Sequence, residues 1–111
     1  MPPKSFSTAG RPLIEVLEEH VLSCATAYLE ADRRATQWDH DESVPAFQKR
    51  VGRVTRIRHD ARLKGAIEML CLFGKPRWAS VHATLDWFLR KARGEDLERP
   101  PDIIATNPRR G

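Results

Sequence analysis

From Leu13 onward, apolar residues return every three or four positions: Leu13, Leu17, Val21, Cys24, Tyr28 and Ala31. That spacing lines one face of an α-helix and is incompatible with a strand, whose faces alternate every second residue. No segment of the chain alternates in that way, so the expected fold class is all-α. Ile14, Leu22, Ala25 and Leu29 widen the first stripe to roughly 200°, about twice the width of a one-sided surface helix. A helix so wide in apolar surface needs neighbours on two sides. The spacing predicts it over residues 12–34, with Glu15, Glu18 and Glu19 at the positive end of its dipole and Arg33 and Arg34 at the other.

Residues 35–43, ATQWDHDES, read as a polar connection in which Ser43 caps the next helix and Pro45 occupies its first turn. Trp38 is the odd member of that loop. Residues 45–73 are helical in pattern throughout, but Phe47, Val51, Val54 and Ala61 occupy a different angular sector from Leu63, Ala66, Ile67 and Leu70. Either the helix breaks near His59 and Asp60, or one long helix changes neighbours along its length; the second reading is favoured, with a bend. Gly74, Lys75 and Pro76 end that element. A last helix is expected from Arg77 to Gly94, with Trp78, Val81, Leu85, Phe88 and Ala92 as its core stripe and Arg90, Lys91 and Arg93 at its negative end. The expectation is a small bundle of three to four helices with a long central helix, dimeric in use. Residues 1–10 form a flexible segment, 11–94 the helical domain and 95–111 a charged, Pro-rich tail with Ile103 and Ile104 as its apolar handle.

At 111 residues there is room for one core. The longest unbroken apolar run, Met69 to Phe73, is far below the roughly 18 residues of a membrane span, and MPPKSFSTAG has no apolar stretch of the kind a secretory signal needs. A cytoplasmic protein is the expectation. Cys24 and Cys71 fall within apolar stripes, where thiols behave as small hydrophobes and burial suppresses the thiolate; two buried thiols are favoured over a disulfide. Asp39, His40, Asp41 and Glu42 form the densest group of ligand-type residues, but a zinc site adds His or Cys at defined spacing elsewhere, and none follows. His59-Asp60 lacks the upstream His and distant Asp that HD-type phosphohydrolases need. Without a glycine-rich phosphate loop or a nucleophile elbow, no catalytic residue, metal or cofactor is assigned.

Two surfaces remain for binding. Net charge is +4, and Lys49, Arg53, Arg56 and Lys64 gather on one side of the second helix with Arg50, Arg58 and Arg62 nearby, a face suited to phosphates. A helix-turn-helix spanning Leu63 to Arg90 would put only Arg77 among the long base readers at the start of its recognition helix, so nucleic acid is the alternative and not the favoured partner. The other surface centres on Trp87, which the expected helix places opposite the sector of Trp78, Leu85 and Phe88. With the small Ala83 beside it, and with Leu22 and Leu29 on the broad flank of the first helix, it forms the candidate protein interface.

The chain as a whole, from MPPKSFSTAG through GKPRWASVHATLDWFLRKARGE to the Pro-rich tail, resembles the QslA family of Pseudomonas quorum-sensing anti-activators. The resemblance implies a small, dimeric, non-enzymatic helical protein. Such a protein binds the ligand-binding domain of a LuxR-type, LasR-like transcription activator and prevents its dimerisation and DNA binding. It identifies no individual functional residue, because no short motif carries it.

Overall fold

The computed structural model describes residues 12–75 and 77–97, and these form three α-helices joined by short connections with no strand among them: α1, Leu13–Asp39; α2, Ala46–Phe73; and α3, Val81–Ala92. The expectations for residues 1–10 and for the tail beyond Leu97 lie outside the described residues. α1 and α2 run antiparallel as a long hairpin, so that Trp38 near the end of α1 meets Gly52 near the start of α2, and Ile14 meets Gly74 at the far end. α3 folds back over the open end of that hairpin. Val21, Cys24 and Ala25 of α1, Leu63, Ile67, Leu70 and Cys71 of α2, and Phe88 of α3 enclose the core together with Trp78 from the connection.

α1 runs five residues beyond the expected end at Arg34. Ala35 is completely buried and Trp38 lies against Gly52, so packing on α2 continues the helix through a sequence whose polar residues suggested a loop. A Cβ on Gly52 would stand 2.9 Å from Trp38 Cε3, which explains a glycine inside a helix at that position. Ser43 does not cap α2. Its Oγ donates to Asp41 Oδ1, and Pro45 occupies the N-cap without a side-chain bond.

α2 is a single helix of 28 residues. The change of apolar sector along it is not a change of internal neighbours. Leu63, Ile67 and Leu70 enter the core, while Phe47, Val51 and Val54, on the other sector, face outward. Its end comes at Gly74, as expected, and the reason is closeness. A Cβ there would lie 2.6 Å from Ile14 Cδ1, 2.6 Å from the Leu70 carbonyl oxygen and 2.8 Å from Trp78 Cδ1.

α3 starts at Val81 rather than Arg77, because Ser80 takes the N-cap and its Oγ accepts the Ala83 amide at 3.2 Å. Trp78 therefore precedes the helix. It is buried, and its Nε1 donates to Glu18 Oε2 at 2.7 Å, tying the connection to α1. Thr84, the one buried polar residue among those described, donates its hydroxyl to the Ser80 carbonyl at 2.6 Å. Leu13 and Val81, both expected in core stripes, are 58% and 47% exposed; each is the first residue of its helix. α3 closes at Gly94, whose φ of 98° is the left-handed value a glycine adopts at low cost after a helix.

Candidate functional site: an exposed apolar stripe on the outer face of α2

Phe47, Val51, Val54, Arg58, Ala61, Gly65, Met69 and Leu72 succeed one another at steps of three and four along α2. They share one helical face, diametrically away from Leu63, Ile67 and Leu70. α2 is thus apolar on two opposite sides, and the described residues cover only one. On the outer side, exposure of the large apolar members ranges from 43% at Val54 to 66% at Leu72, and Ile57 and Phe73 extend the patch at its margins. Large residues occupy both ends and small ones the middle, where Ala61 and Gly65 are exposed and a Cβ built on Gly65 has no atom within 4 Å. The outcome is a long apolar strip with a shallow notch at its centre.

Charge surrounds the strip unevenly. Arg53 reaches Asp39 at 3.0 Å, Arg56 reaches Asp32 at 3.5 Å and Lys64 reaches Asp60 at 3.1 Å. Three of the four residues of the expected phosphate-binding face are thereby engaged with carboxylates, two of them across the α1–α2 hairpin. Lys49 is half-buried, and its charge acts on the nearby Asp41. Arg50, Arg58 and Arg62, which border or interrupt the apolar strip, are exposed, and among the described residues no carboxylate comes within ion-pair distance of them.

The residues expected to form the protein interface are placed differently. Trp87 is not opposite the core: its ring centroid lies 5.4 Å from that of Trp78 and 4.9 Å from that of Phe88, both in edge-to-face geometry. The later start of α3 explains the change. With Trp78 outside the helix, the buried side is set by Thr84 and Phe88, and Trp87 stands on its shoulder. Ala83 is half-buried beside the Ser80 cap, and Leu22 is half-buried against the core, at the edge of an open hollow that it lines with Glu15, Glu18 and Glu19. Leu29 is half-buried farther along α1. None of these four is as exposed as the α2 stripe. The outward residues of α2 were discernible as a separate sector, but a second sector on a long helix fits an internal neighbour equally well until the partners are known.

The groups that bear reactive chemistry are held in local structure. Cys24 and Cys71 are free thiols, 6% and 5% exposed, and burial raises the Cys24 pKa against the opposing charge of Arg62. Cys24 Sγ lies 3.7 Å from His20 Nε2, and Cys71 Sγ lies 3.6 Å from the Thr84 hydroxyl. His40 Nδ1 is 2.8 Å from the Thr36 carbonyl oxygen and Asp41 is bonded to Ser43, so neighbouring members of the acidic cluster turn to different local partners. Among the described residues no three His, Cys, Asp or Glu side chains converge to hold a metal ion, and no helix is long and apolar enough to cross a membrane.

No family model, no curated protein and no solved structure matches this chain.

Proposed function

We propose that this protein is a non-enzymatic regulator that works by covering a surface of another protein. In the reading that its sequence resemblance favours, the target is the ligand-binding domain of a LuxR-type transcription activator. Occupation of that domain's dimerisation surface excludes the second activator protomer and so prevents DNA binding. The exposed apolar stripe on α2 is the observation that carries this reading. A helix face of this length, with aromatic and aliphatic side chains at both ends, has the anchor-and-rim composition of a protein interface and no reactive group.

The regulator acts as a homodimer in this reading, and the half-buried residues Leu22, Leu29, Ala83 and Trp87 are the contact proposed for the second copy. That division leaves the outer face of α2 for the target. Arg53, Arg56 and Lys64 of the basic face are paired with carboxylates, which leaves fewer of its cations for phosphates.

The test is a titration of the purified chain into a LuxR-type activator bound to fluorescent operator DNA, followed by anisotropy. Release of the DNA, with no affinity of the chain for the DNA alone, is expected. Direct binding of the chain to the DNA, or an activator complex unchanged at saturating chain, overturns the reading.

A further inference from the structure

The outer face of α2 also specifies the chemistry of what covers it. α2 carries seven Lys and Arg residues against two carboxylates, Asp60 and Glu68. Arg53 and Arg56 pair across to α1 and Lys64 pairs with Asp60 along α2, whereas Arg50, Arg58 and Arg62, within or bordering the apolar strip, have no carboxylate within ion-pair distance among the described residues. Arg58 stands within the strip itself. Covering it removes a guanidinium from water, which is strongly unfavourable unless the incoming surface brings an anion to it.

Gly65 narrows the choice further. A glycine in an exposed helix interior costs about 1 kcal/mol relative to alanine, and among the described residues no atom occupies the space its missing side chain leaves. Four residues before it, Ala61 is also small and exposed. Small residues one turn apart allow a second helix to approach closely, and the larger Val54 and Met69 above and below them hold it along the strip.

A second copy of this chain fits poorly. An antiparallel pairing centred between Ala61 and Gly65 brings residue 68 of the partner copy to the level of Arg58, but it sets the two copies' Arg62 at nearly the same level on the same side, and a parallel pairing sets Arg58 against itself. Like charges facing each other in a covered interface are costly.

From these features we infer that α2 docks an amphipathic helix of a different protein, one whose apolar ridge crosses at Ala61 and Gly65 and whose flanks carry carboxylates that pair with Arg50, Arg58 and Arg62. The inference rests on the reading of the chain as a protein-binding regulator and names the kind of partner surface that reading requires.

Two synthetic helical peptides with the same leucine and alanine ridge test it, one with glutamate at every flanking position and one with lysine, each titrated calorimetrically into the full chain. The glutamate peptide is expected to bind at least about tenfold more tightly than the lysine peptide, and the gap is expected to narrow as salt screens the pairs. Two variants guard against a folding artefact, both at exposed positions: Arg58→Glu is expected to narrow the peptide preference severalfold, and Gly65→Leu to abolish binding of both while circular dichroism is retained. Equal binding of the two peptides, or binding indifferent to both variants, overturns the inference. So does binding of phosphatidylserine vesicles with no binding of either peptide, or concentration-dependent self-association that Gly65→Leu abolishes. If the peptides fail while an intact activator domain is still captured, the inference about α2 falls and the regulatory reading stands.

Discussion

Two glycines on one helix are predicted to respond oppositely to the same substitution. Gly52 and Gly65 both lie inside α2, and alanine at either gains about 1 kcal/mol of helix propensity. At Gly65 nothing opposes that gain, because the added methyl meets no atom within 4 Å. Gly65→Ala is therefore expected to stabilise the chain by about 1 kcal/mol, a rise in Tm of roughly 4–8 °C for a domain of this size. At Gly52 the same methyl arrives 2.9 Å from Trp38 Cε3, 3.3 Å from Cζ3 and 3.5 Å from the Ala35 Cα. The indole must move off the helix, and overpacking of this kind costs about 1–3 kcal/mol, which cancels or exceeds the gain. Gly52→Ala should leave the protein unchanged or destabilise it by up to about 2 kcal/mol. Urea unfolding followed by tryptophan fluorescence and by circular dichroism measures both variants on one scale. If Gly52→Ala is stabilised as much as Gly65→Ala, Trp38 does not hold the α1–α2 hairpin closed in the way described.

Glu18→Ala leaves the buried Trp78 Nε1–H without its acceptor and should cost about 1–3 kcal/mol in urea unfolding, whereas Glu18→Gln, which keeps an oxygen in place, should cost less. Cys24 and Cys71 should resist a thiol-specific disulfide reagent at neutral pH in the folded chain and react rapidly once it is unfolded in guanidinium; fast native reaction would contradict their burial. The Ser43 hydroxyl and amide hold the Asp41 carboxyl below the usual aspartate range, hydroxyl first. A depressed folded pKa contributes stability that is present above the unfolded value of about 3.9 and is lost as pH falls through the folded one. Ser43→Ala should move the Asp41 titration upward toward that value, as read by carboxyl NMR.

Much of this fold was legible in the chain, and the misplacements share one cause. The core positions Val21, Cys24, Leu63, Ile67, Leu70 and Phe88 follow from their spacing alone, and the stop at Gly74 from the glycine and the proline that follows it. Helix limits did not follow where tertiary contacts outweigh local preference: Ala35 and Trp38 belong to α1 only because α2 lies against them, and Ser80 starts α3 later than the apolar pattern suggests. Spacing identified the apolar sides of each helix but not which of them the molecule covers. For that reason Trp87 was expected opposite the core when it packs on Trp78 and Phe88, and Phe47, Val51 and Val54 were expected to face neighbours when they lie exposed in the described structure. The basic face was visible as a pattern, but Asp32 and Asp39, which engage two of its arginines, lie 24 and 14 residues away along the chain.

The most direct test of the central claim is the mass of the complex formed with a LuxR-type activator's ligand-binding domain, measured by light scattering on a sizing column. The chain is compared with a Val54→Glu, Met69→Glu double variant, whose substitutions lie at exposed positions and spare the core. The account predicts that the unaltered chain converts the activator domain from a dimer to a mixed complex containing a single activator protomer, and that the double variant, equally folded, leaves the activator dimer intact. A mixed complex formed equally well by the double variant would show that the outer face of α2 is not the binding surface.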